Sequence, residues 1–101
     1  MVYVGSFDSN VYAIDASTGQ QKWAFPTGGA VESSPRVADK VLYVGSNDGK
    51  VYAIDTSTGQ QKWAFSTGNW VRSSPTVFNG TLYIGSNDGN VHALTLPVTS
   101  S

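Results

Sequence analysis

Residues 43–65 read YVGSNDGKVYAIDTSTGQQKWAF, and residues 3–25 repeat this stretch almost unchanged. The repeat period is 40 residues, and 26 of 40 positions are identical between residues 2–41 and residues 42–81. A partial third copy occupies residues 82–95, followed by a C-terminal tail over residues 96–101. A period of this length predicts that the whole chain, residues 1–101, is one segment of a repeat fold.

Each repeat is predicted to contain four short strands. Runs such as residues 41–44 (VLYV) are rich in β-branched and aromatic residues and too short for helices. The stretch from Ser73 to Phe78 is expected to be one strand, Asn79-Gly80 is typical of a tight hairpin, and residues 87–89 predict the next turn. Because the runs are apolar on both faces, each sheet should be covered on both sides. Four-stranded antiparallel sheets at this period indicate an all-β fold of β-propeller blades, about two and a half of them.

The chain resembles the quinoprotein-type, or PQQ-repeat, β-propellers in three sets of residues. The family's tryptophan docking motif reads Ala-x-Asp-x-x-x-Gly-x-x-x-Trp. Here it is formed by Ala13, Asp15, Gly19 and Trp23, and again by Ala53, Asp55, Gly59 and Trp63. The family's Ser-Ser-Pro inner strand occurs at residues 33–35 and 73–75, and its Tyr-Val-Gly-Ser strand occurs at residues 3–6, 43–46 and, with Ile84 for Val, 83–86.

The resemblance implies a structural role for the docking residues. In the family the tryptophan lies flat against the neighbouring blade and contacts its alanine and glycine. A flat aromatic ring suits such an interface, and the small residues leave room for it. Asp15 and Asp55 are expected to begin a turn and to bond backbone N–H groups there. Trp23 and Trp63 are therefore predicted to be structural residues and not ligand platforms.

The best-known relatives by this resemblance are PQQ-dependent alcohol and sugar dehydrogenases, but their chemistry is not expected here. Those enzymes use a whole ring of blades, with the cofactor and a metal ion such as Ca²⁺ over its axis and an Asp as base. This chain has no cysteine and no clustered acidic and amide side chains of the kind that Ca²⁺ prefers. We predict no catalytic residue, no cofactor and no metal site. His92, which replaces Tyr12 and Tyr52, is interpreted as a packing residue.

The copies differ most between residues 26–41 and residues 66–81. In the family this connection crosses the top face of the propeller beside its axis, the usual ligand or partner face. Exposed Trp and Arg side chains are favoured anchors at interfaces. The candidate top-face binding residues are therefore Glu32, Arg36, Trp70 and Arg72, and packing of these residues on a neighbouring blade is the alternative.

Composition limits the possible partners. The net charge is −1 and the six Lys and Arg residues are scattered, so no nucleic-acid partner is expected. No apolar run approaches the roughly 18 residues that a membrane helix needs, so no membrane insertion is expected. Residues 1–5 lack the basic start and apolar core of a signal peptide, whereas the family resemblance suggests an extracytoplasmic location. The compartment therefore stays open.

The strand register predicts three strands, then one full blade, then three strands. The two outer blade faces would be bare, and Pro97 limits any outer strand formed by Leu96 and Val98 to an edge. Bare apolar faces predict association with copies of the chain, as a ring or a filament. The preferred function is a non-catalytic module that self-assembles and serves as a structural or binding scaffold. The alternatives are a fragment of a protein-binding scaffold or sensor propeller, and a part of a PQQ-dependent dehydrogenase.

Overall fold

Ten strands form three antiparallel sheets in the computed structural model, which describes residues 1–96. Blade 1 contains β1 (Val2–Gly5), β2 (Asn10–Ile14) and β3 (Gln21–Pro26); blade 2 contains β4 (Arg36–Ala38), β5 (Val41–Gly45), β6 (Lys50–Asp55) and β7 (Gln61–Ser66); blade 3 contains β8 (Thr76–Phe78), β9 (Thr81–Gly85) and β10 (Val91–Thr95). The all-β prediction is confirmed. Within residues 1–96 there is no helix long and apolar enough to cross a membrane. The predicted outer strand at Leu96 and Val98 depends on residues outside those described.

Each strand pairs with its neighbour in sequence, so every connection within a blade is a hairpin. The β8–β9 turn has positive φ at both central residues, 51° at Asn79 and 75° at Gly80, as a two-residue hairpin requires. The β4–β5 turn has the same conformation at Asp39 (54°) and Lys40 (65°), although neither residue is glycine. The two hairpins therefore have the same turn geometry, although only the β8–β9 turn has the Asn-Gly sequence that favours it.

The two faces of blade 2 pack against different neighbours. Leu42, Val44, Tyr52 and Ile54 join the apolar cluster shared with blade 1. Tyr43, Val51 and Ala53 join the cluster shared with blade 3. Because successive residues of a strand point to opposite faces, blade 2 is buried on both sides, as the apolar runs predicted.

The inner strands β4 and β8 are shorter than predicted, since the strand expected over residues 73–78 begins only at Thr76. Pro75 has no backbone N–H to donate to a ladder. The Ser73 hydroxyl takes the place of the missing pairing: its Oγ accepts from the Gly85 N–H (2.9 Å) and donates to the Gly85 carbonyl (2.8 Å). Ser33 Oγ accepts from the Gly45 N–H in the same way (3.2 Å).

Candidate functional site

Trp23 connects blade 1 to a turn of blade 2. Its indole N–H donates to the Thr56 carbonyl (2.9 Å), and its ring lies against Gly59. A methyl group at Gly59 would lie 2.7 Å from two atoms of the indole, and the Gly59 backbone has φ +76°. Only glycine meets both the steric and the conformational requirement of this contact.

The alanines of the motif lie differently from the expectation. Ala13 is directly opposite Trp23 within the same sheet, where its small side chain leaves space beside the indole. Ala53 belongs to the cluster on the other face of blade 2, because strand residues alternate between faces. The alanine beside the docked tryptophan is thus that of its own blade, and the neighbouring blade contributes the glycine.

Asp15 and Asp55 organise two equivalent turns, Asp15 the turn between β2 and β3 and Asp55 the turn between β6 and β7. Asp15 Oδ1 accepts from the Ser17 hydroxyl (2.6 Å) and the Ser17 N–H (2.8 Å), and Asp55 Oδ1 does the same with Ser57 (2.7 and 2.8 Å). These serine bonds, the hydroxyl first, hold the pKa of both carboxyl groups below the ordinary value. The turn therefore presents the Thr56 carbonyl and Gly59 in a fixed shape.

Trp63 lies in the cluster between blades 2 and 3, with its ring centroid 5.9 Å from that of Tyr43. Trp23 and Tyr3 repeat this pair with the same separation of 5.9 Å. Trp23 contacts Thr56 and Gly59 of the next blade. The residues at the same repeat positions for Trp63 are 96 and 99, and of these only Leu96 is among the described residues. Leu96 packs against the same cluster as Trp63.

Two outer faces carry the same apolar pattern as the buried interfaces. We call the side of blade 1 formed by Val2, Val4, Tyr12 and Ile14 the leading face; its counterpart in blade 2 is the buried set Leu42, Val44, Tyr52 and Ile54. We call the side of blade 3 formed by Phe78, Tyr83, Val91 and Ala93 the trailing face; its counterpart in blade 2 contains Tyr43, Val51 and Ala53. Val91 is 75% exposed, whereas Val51 is fully buried.

Three of the four candidate top-face residues come together, Glu32 from the connection between blades 1 and 2 and Trp70 and Arg72 from the connection between blades 2 and 3. Arg72 Nε lies 3.5 Å from Glu32 Oε1, and the Arg72 guanidinium lies 5.9 Å from the centroid of the half-exposed Trp70 ring. Asn47 Nδ2 donates to Glu32 Oε2 (2.6 Å), a partner that the sequence reasoning missed. The sequence feature that could have indicated Asn47 is the change from Phe7 in the first copy to Asn47 in the second. Arg36 is exposed at the start of β4 and is not part of this cluster.

The turns around residues 48 and 88 tie an aspartate to an aromatic ring four residues later. Tyr52 donates to Asp48, as Tyr12 does to Asp8, and burial followed by this bond raises the pKa of the Tyr52 hydroxyl. His92 Nε2 lies 3.0 Å from Asp88 Oδ2, and its ring meets Phe65 edge to face. His92 thus takes the position and the polar contact of the tyrosines.

The described residues do not bring together a set of side chains that could ligate a metal ion. Residues 1–96 contain no group of three or more acidic or histidine side chains that could hold a metal ion. Asp48 and Asp88 are each engaged in their own turns, as the bonds to Lys50 N–H (2.9 Å) and Asn90 N–H (2.8 Å) show. The described residues therefore do not fit the metal that accompanies PQQ.

Comparisons with known proteins agree with this architecture. Residues 1–97 match the family described as outer membrane protein assembly factor BamB. A quinohemoprotein alcohol dehydrogenase, ADHIIG of Pseudomonas putida HK5, is 28% identical over 92% of this chain and 17% of its own, with a TM-score of 0.83. BamB of Moraxella catarrhalis is 24% identical over 92% of this chain and 29% of its own, with a TM-score of 0.80. The computationally designed Ika4 protein is 20% identical over 92% of this chain and 58% of its own, with a TM-score of 0.81.

The two comparisons below 25% identity show the fold alone. In all three cases the chain spans less than two thirds of the other protein's length. No curated protein matches the sequence. The structural matches confirm that the sheets are propeller blades.

Proposed function

Because the chain belongs to the PQQ-repeat β-propeller family described as outer membrane protein assembly factor BamB, we propose that it is a non-catalytic propeller segment that assembles with copies of itself. Assembly joins the trailing face of one copy to the leading face of the next, and the resulting surface serves as a structural or binding scaffold. The observation that carries the proposal is the equivalence between these faces and the two buried interfaces of the same chain.

The internal interfaces supply the template for the contact between copies. At the junction of blades 2 and 3, Tyr43, Val51 and Ala53 pack against Leu82 and Ile84. At the proposed junction, Tyr83, Val91 and Ala93 would meet Val2 and Val4. The side chains are the same or similar in size at each position, so the shape that closes one junction suits the other. Removing such apolar area from water contributes about 25 cal/mol per Å².

Head-to-tail contacts use two different surfaces on each copy. Such contacts give a closed ring when the rotation between copies closes, and an open filament when it does not. In both outcomes Trp70 and Arg72, with Glu32 beside Arg72, form a cluster outside the strands of the two outer faces. We propose this cluster as the part of the scaffold that binds a protein partner, because exposed Trp and Arg are favoured anchors.

The test is the mass of the purified chain in solution over a concentration series, compared with that of Val91→Asp. The wild-type chain should exceed its monomer mass of 10.7 kDa, and V91D should remain at that mass because a charge is buried in the contact. Val37→Asp is the matched control, since Val37 is exposed but lies on neither outer face. A monomeric wild-type chain, or equal masses for wild type and V91D, would contradict the proposal.

The 28% identity to a quinohemoprotein alcohol dehydrogenase favours a second candidate, a part of a PQQ-dependent dehydrogenase. A sensor or protein-binding scaffold propeller is the third. Adding PQQ and Ca²⁺ to the purified chain separates them. Saturable binding of PQQ would favour the dehydrogenase, whereas its absence in a folded chain would leave the two non-catalytic candidates.

A further inference from the structure

A pocket lies beside the connection that leads from blade 2 to blade 3. Its volume is about 400 Å³, and it is lined by residues 47–49 of the β5–β6 turn and by residues 66–70 at and after the end of β7. All of these residues belong to blade 2 or to the connection that follows it, and blade 2 packs against a blade on each side. Trp70 is the aromatic residue of this lining, and 49% of its surface is exposed.

The connection that carries Trp70 differs from the connection between blades 1 and 2. In the first connection a methyl group added at Gly29 would lie 2.8 Å from the backbone nitrogen of Asp48, so this close contact requires glycine. The corresponding residue of the second connection is Asn69, whose side chain such a contact would exclude. The side chains of Asn69 and Trp70 are both exposed, at the positions where the first connection has Gly29 and Ala30.

The backbone that carries the Trp70 ring is held on both sides. The Trp70 carbonyl accepts from the Asn87 N–H of blade 3 (2.8 Å), and the neighbouring Val71 side chain is fully buried against Gly45. The side-chain oxygen of Asn69 accepts from the Trp70 N–H (2.8 Å). Because these contacts fix the main chain, little of its freedom remains to be lost when a ligand binds.

The pocket has unpaired side-chain donors. Within the described part of the chain the Trp70 indole N–H has no hydrogen-bond partner, whereas the Trp23 indole N–H donates to the Thr56 carbonyl (2.9 Å). The side-chain nitrogen of Asn69 likewise donates to no acceptor there, while its side-chain oxygen is used by the Trp70 N–H. The exposed Ser66 hydroxyl, which can donate or accept, adds a third polar group to the lining.

The side-chain acceptors of the pocket are mostly engaged or out of reach. Both carboxylate oxygens of Asp48 accept from backbone N–H groups at 2.9 Å. The Thr67 hydroxyl accepts from the Asn69 N–H (3.4 Å), and the side-chain oxygen of Asn47 is buried. A ligand for this pocket therefore has to bring acceptors, whereas the donors that it brings find few partners among the side chains.

Two other ligand classes fit this pocket less well. The Arg72 guanidinium beside the Trp70 ring repels a cationic ligand, and its pairing with Glu32 (3.5 Å) leaves little attraction for an anionic one. A saccharide has hydroxyl groups, each of which brings a donor together with its acceptor sites, and few side-chain acceptors are left for those donors. A neutral segment that carries carbonyl groups without N–H groups meets both conditions.

We propose that the Trp70 pocket binds a proline-rich segment of a partner protein in the polyproline II conformation. Proline has a carbonyl acceptor but no N–H, so the segment complements side chains that offer donors. Its rings pack on the half-exposed indole, and its carbonyl groups accept from the Trp70 indole N–H and the Asn69 amide. Because this conformation is already formed in the free segment, the entropy cost of binding is low. The proposal rests on the proposed function, since it specifies the partner of the cluster formed by Trp70, Arg72 and Glu32.

The experiment measures the fluorescence anisotropy of a labelled peptide, GPPPPPPG, titrated with the purified chain carrying Val4→Asp. This substitution removes the proposed contact between copies on the leading face of blade 1, so the chain is a monomer whether or not the wild-type chain assembles. We expect saturable binding of this peptide and no measurable binding of the control peptide GSSSSSSG. Adding Trp70→Ala should weaken the binding roughly tenfold or more, as the loss of an aromatic anchor does. Trp70→Phe, which keeps a ring but removes the indole N–H, should weaken it roughly two- to tenfold.

The three tryptophan indole N–H signals of a ¹H–¹⁵N correlation spectrum locate the bound peptide. The Trp70 signal, which is the one missing in Trp70→Phe, should shift during the titration with GPPPPPPG. The Trp23 signal should not shift, because that N–H is already bonded to the Thr56 carbonyl (2.9 Å). Circular dichroism confirms that each variant is folded.

No saturable binding of GPPPPPPG, equal binding of GSSSSSSG, or binding insensitive to W70A would overturn the proposal. A shift of the Trp70 signal with maltohexaose but not with GPPPPPPG would also overturn it, and would assign the pocket to a saccharide. The failure of assembly is a separate result, because the mass of the wild-type chain tests the outer faces and the peptide titration uses a monomer. A wild-type chain that stays at its monomer mass would contradict assembly and leave the peptide test unchanged.

Discussion

Blade 2 and the outer faces of blades 1 and 3 have nearly the same strand sequences but opposite exposure. Val51 is fully buried and its counterpart Val91 is 75% exposed; Tyr43 is 5% exposed and its counterpart Tyr83 is 41% exposed. The local sequence sets the strand and the side chain, and the presence of a neighbouring blade sets the burial. An outer blade face thus carries the same kind of apolar side chains as a buried one, and contiguous apolar surface of this kind is typical of interaction sites.

The largest expected effect separates the three tryptophans. Trp23→Ala should lower the free energy of unfolding by about 3 kcal/mol or more, because it removes an aromatic ring and a hydrogen bond between blades. Trp63→Ala should also lower it, because the Trp63 ring packs in the cluster between blades 2 and 3, with its centroid 5.9 Å from that of Tyr43. Trp70→Ala should change it by less than about 0.5 kcal/mol, as exposed substitutions do. Urea unfolding at fixed protein concentration, followed by circular dichroism, measures all three; equal losses for W23A and W70A would contradict the docking contact.

Two glycines with the same backbone conformation test the contact more directly. Gly59 and Gly19 have φ of +76° and +75°, but an added methyl would meet the Trp23 indole at Gly59 and nothing within 4 Å at Gly19. Gly19→Ala should cost about 1 kcal/mol from the backbone alone. Gly59→Ala should cost about 1–3 kcal/mol more from steric overlap. If urea unfolding gives equal losses, the Trp23–Gly59 contact does not contribute to stability.

The hairpin turns offer a smaller comparison between blades 2 and 3. Lys40 has φ 65° where its counterpart Gly80 has φ 75°. Lys40→Gly should raise the free energy of unfolding by about 1 kcal/mol, because glycine adopts this conformation without steric cost. The reciprocal Gly80→Lys should lower it by a similar amount, and thermal unfolding of both variants measures the pair. A loss of stability in K40G would show that the side chain of Lys40 matters more than the turn.

Acid should weaken the turns of Asp15 and Asp55 together. Both pKa values are below their ordinary value in the folded chain, so the unfolded chain binds protons more readily. Their contribution is fully present above the unfolded pKa of about 3.9 and is lost as the pH falls through the lower folded values. The urea midpoint should therefore fall as the pH decreases below about 4, and less steeply in Asp15→Asn/Asp55→Asn. A midpoint independent of pH in this range would exclude a role for the ionised carboxylates.

The sequence predicted the strands, the hairpin at Asn79-Gly80 and the blade architecture because each depends on local pattern repeated every 40 residues. It did not predict the short inner strands, since the Ser73 hydroxyl bonds across to Gly85 and no local propensity encodes that contact. The family resemblance led us to expect that Trp23 contacts the alanine of the neighbouring blade, but Ala13 of its own blade lies opposite it. The sequence could not show this, because tertiary packing decides which face of a strand meets the neighbouring blade. Glu32, Trp70 and Arg72 were chosen as candidates from the sequence differences between the copies and lie together, whereas the bond from Asn47 to Glu32 depends on folding across 15 residues of chain.

The most direct test of the central claim mixes two variants, each with one outer face blocked. Val4→Asp blocks the leading face and Val91→Asp the trailing face, and each alone should be a monomer of 10.7 kDa by light scattering. Mixed in equal amounts they should form a heterodimer of two chains and nothing larger, because one intact leading face and one intact trailing face remain. A mixture that stays monomeric, or either variant forming a dimer by itself, would contradict head-to-tail association through the blade faces.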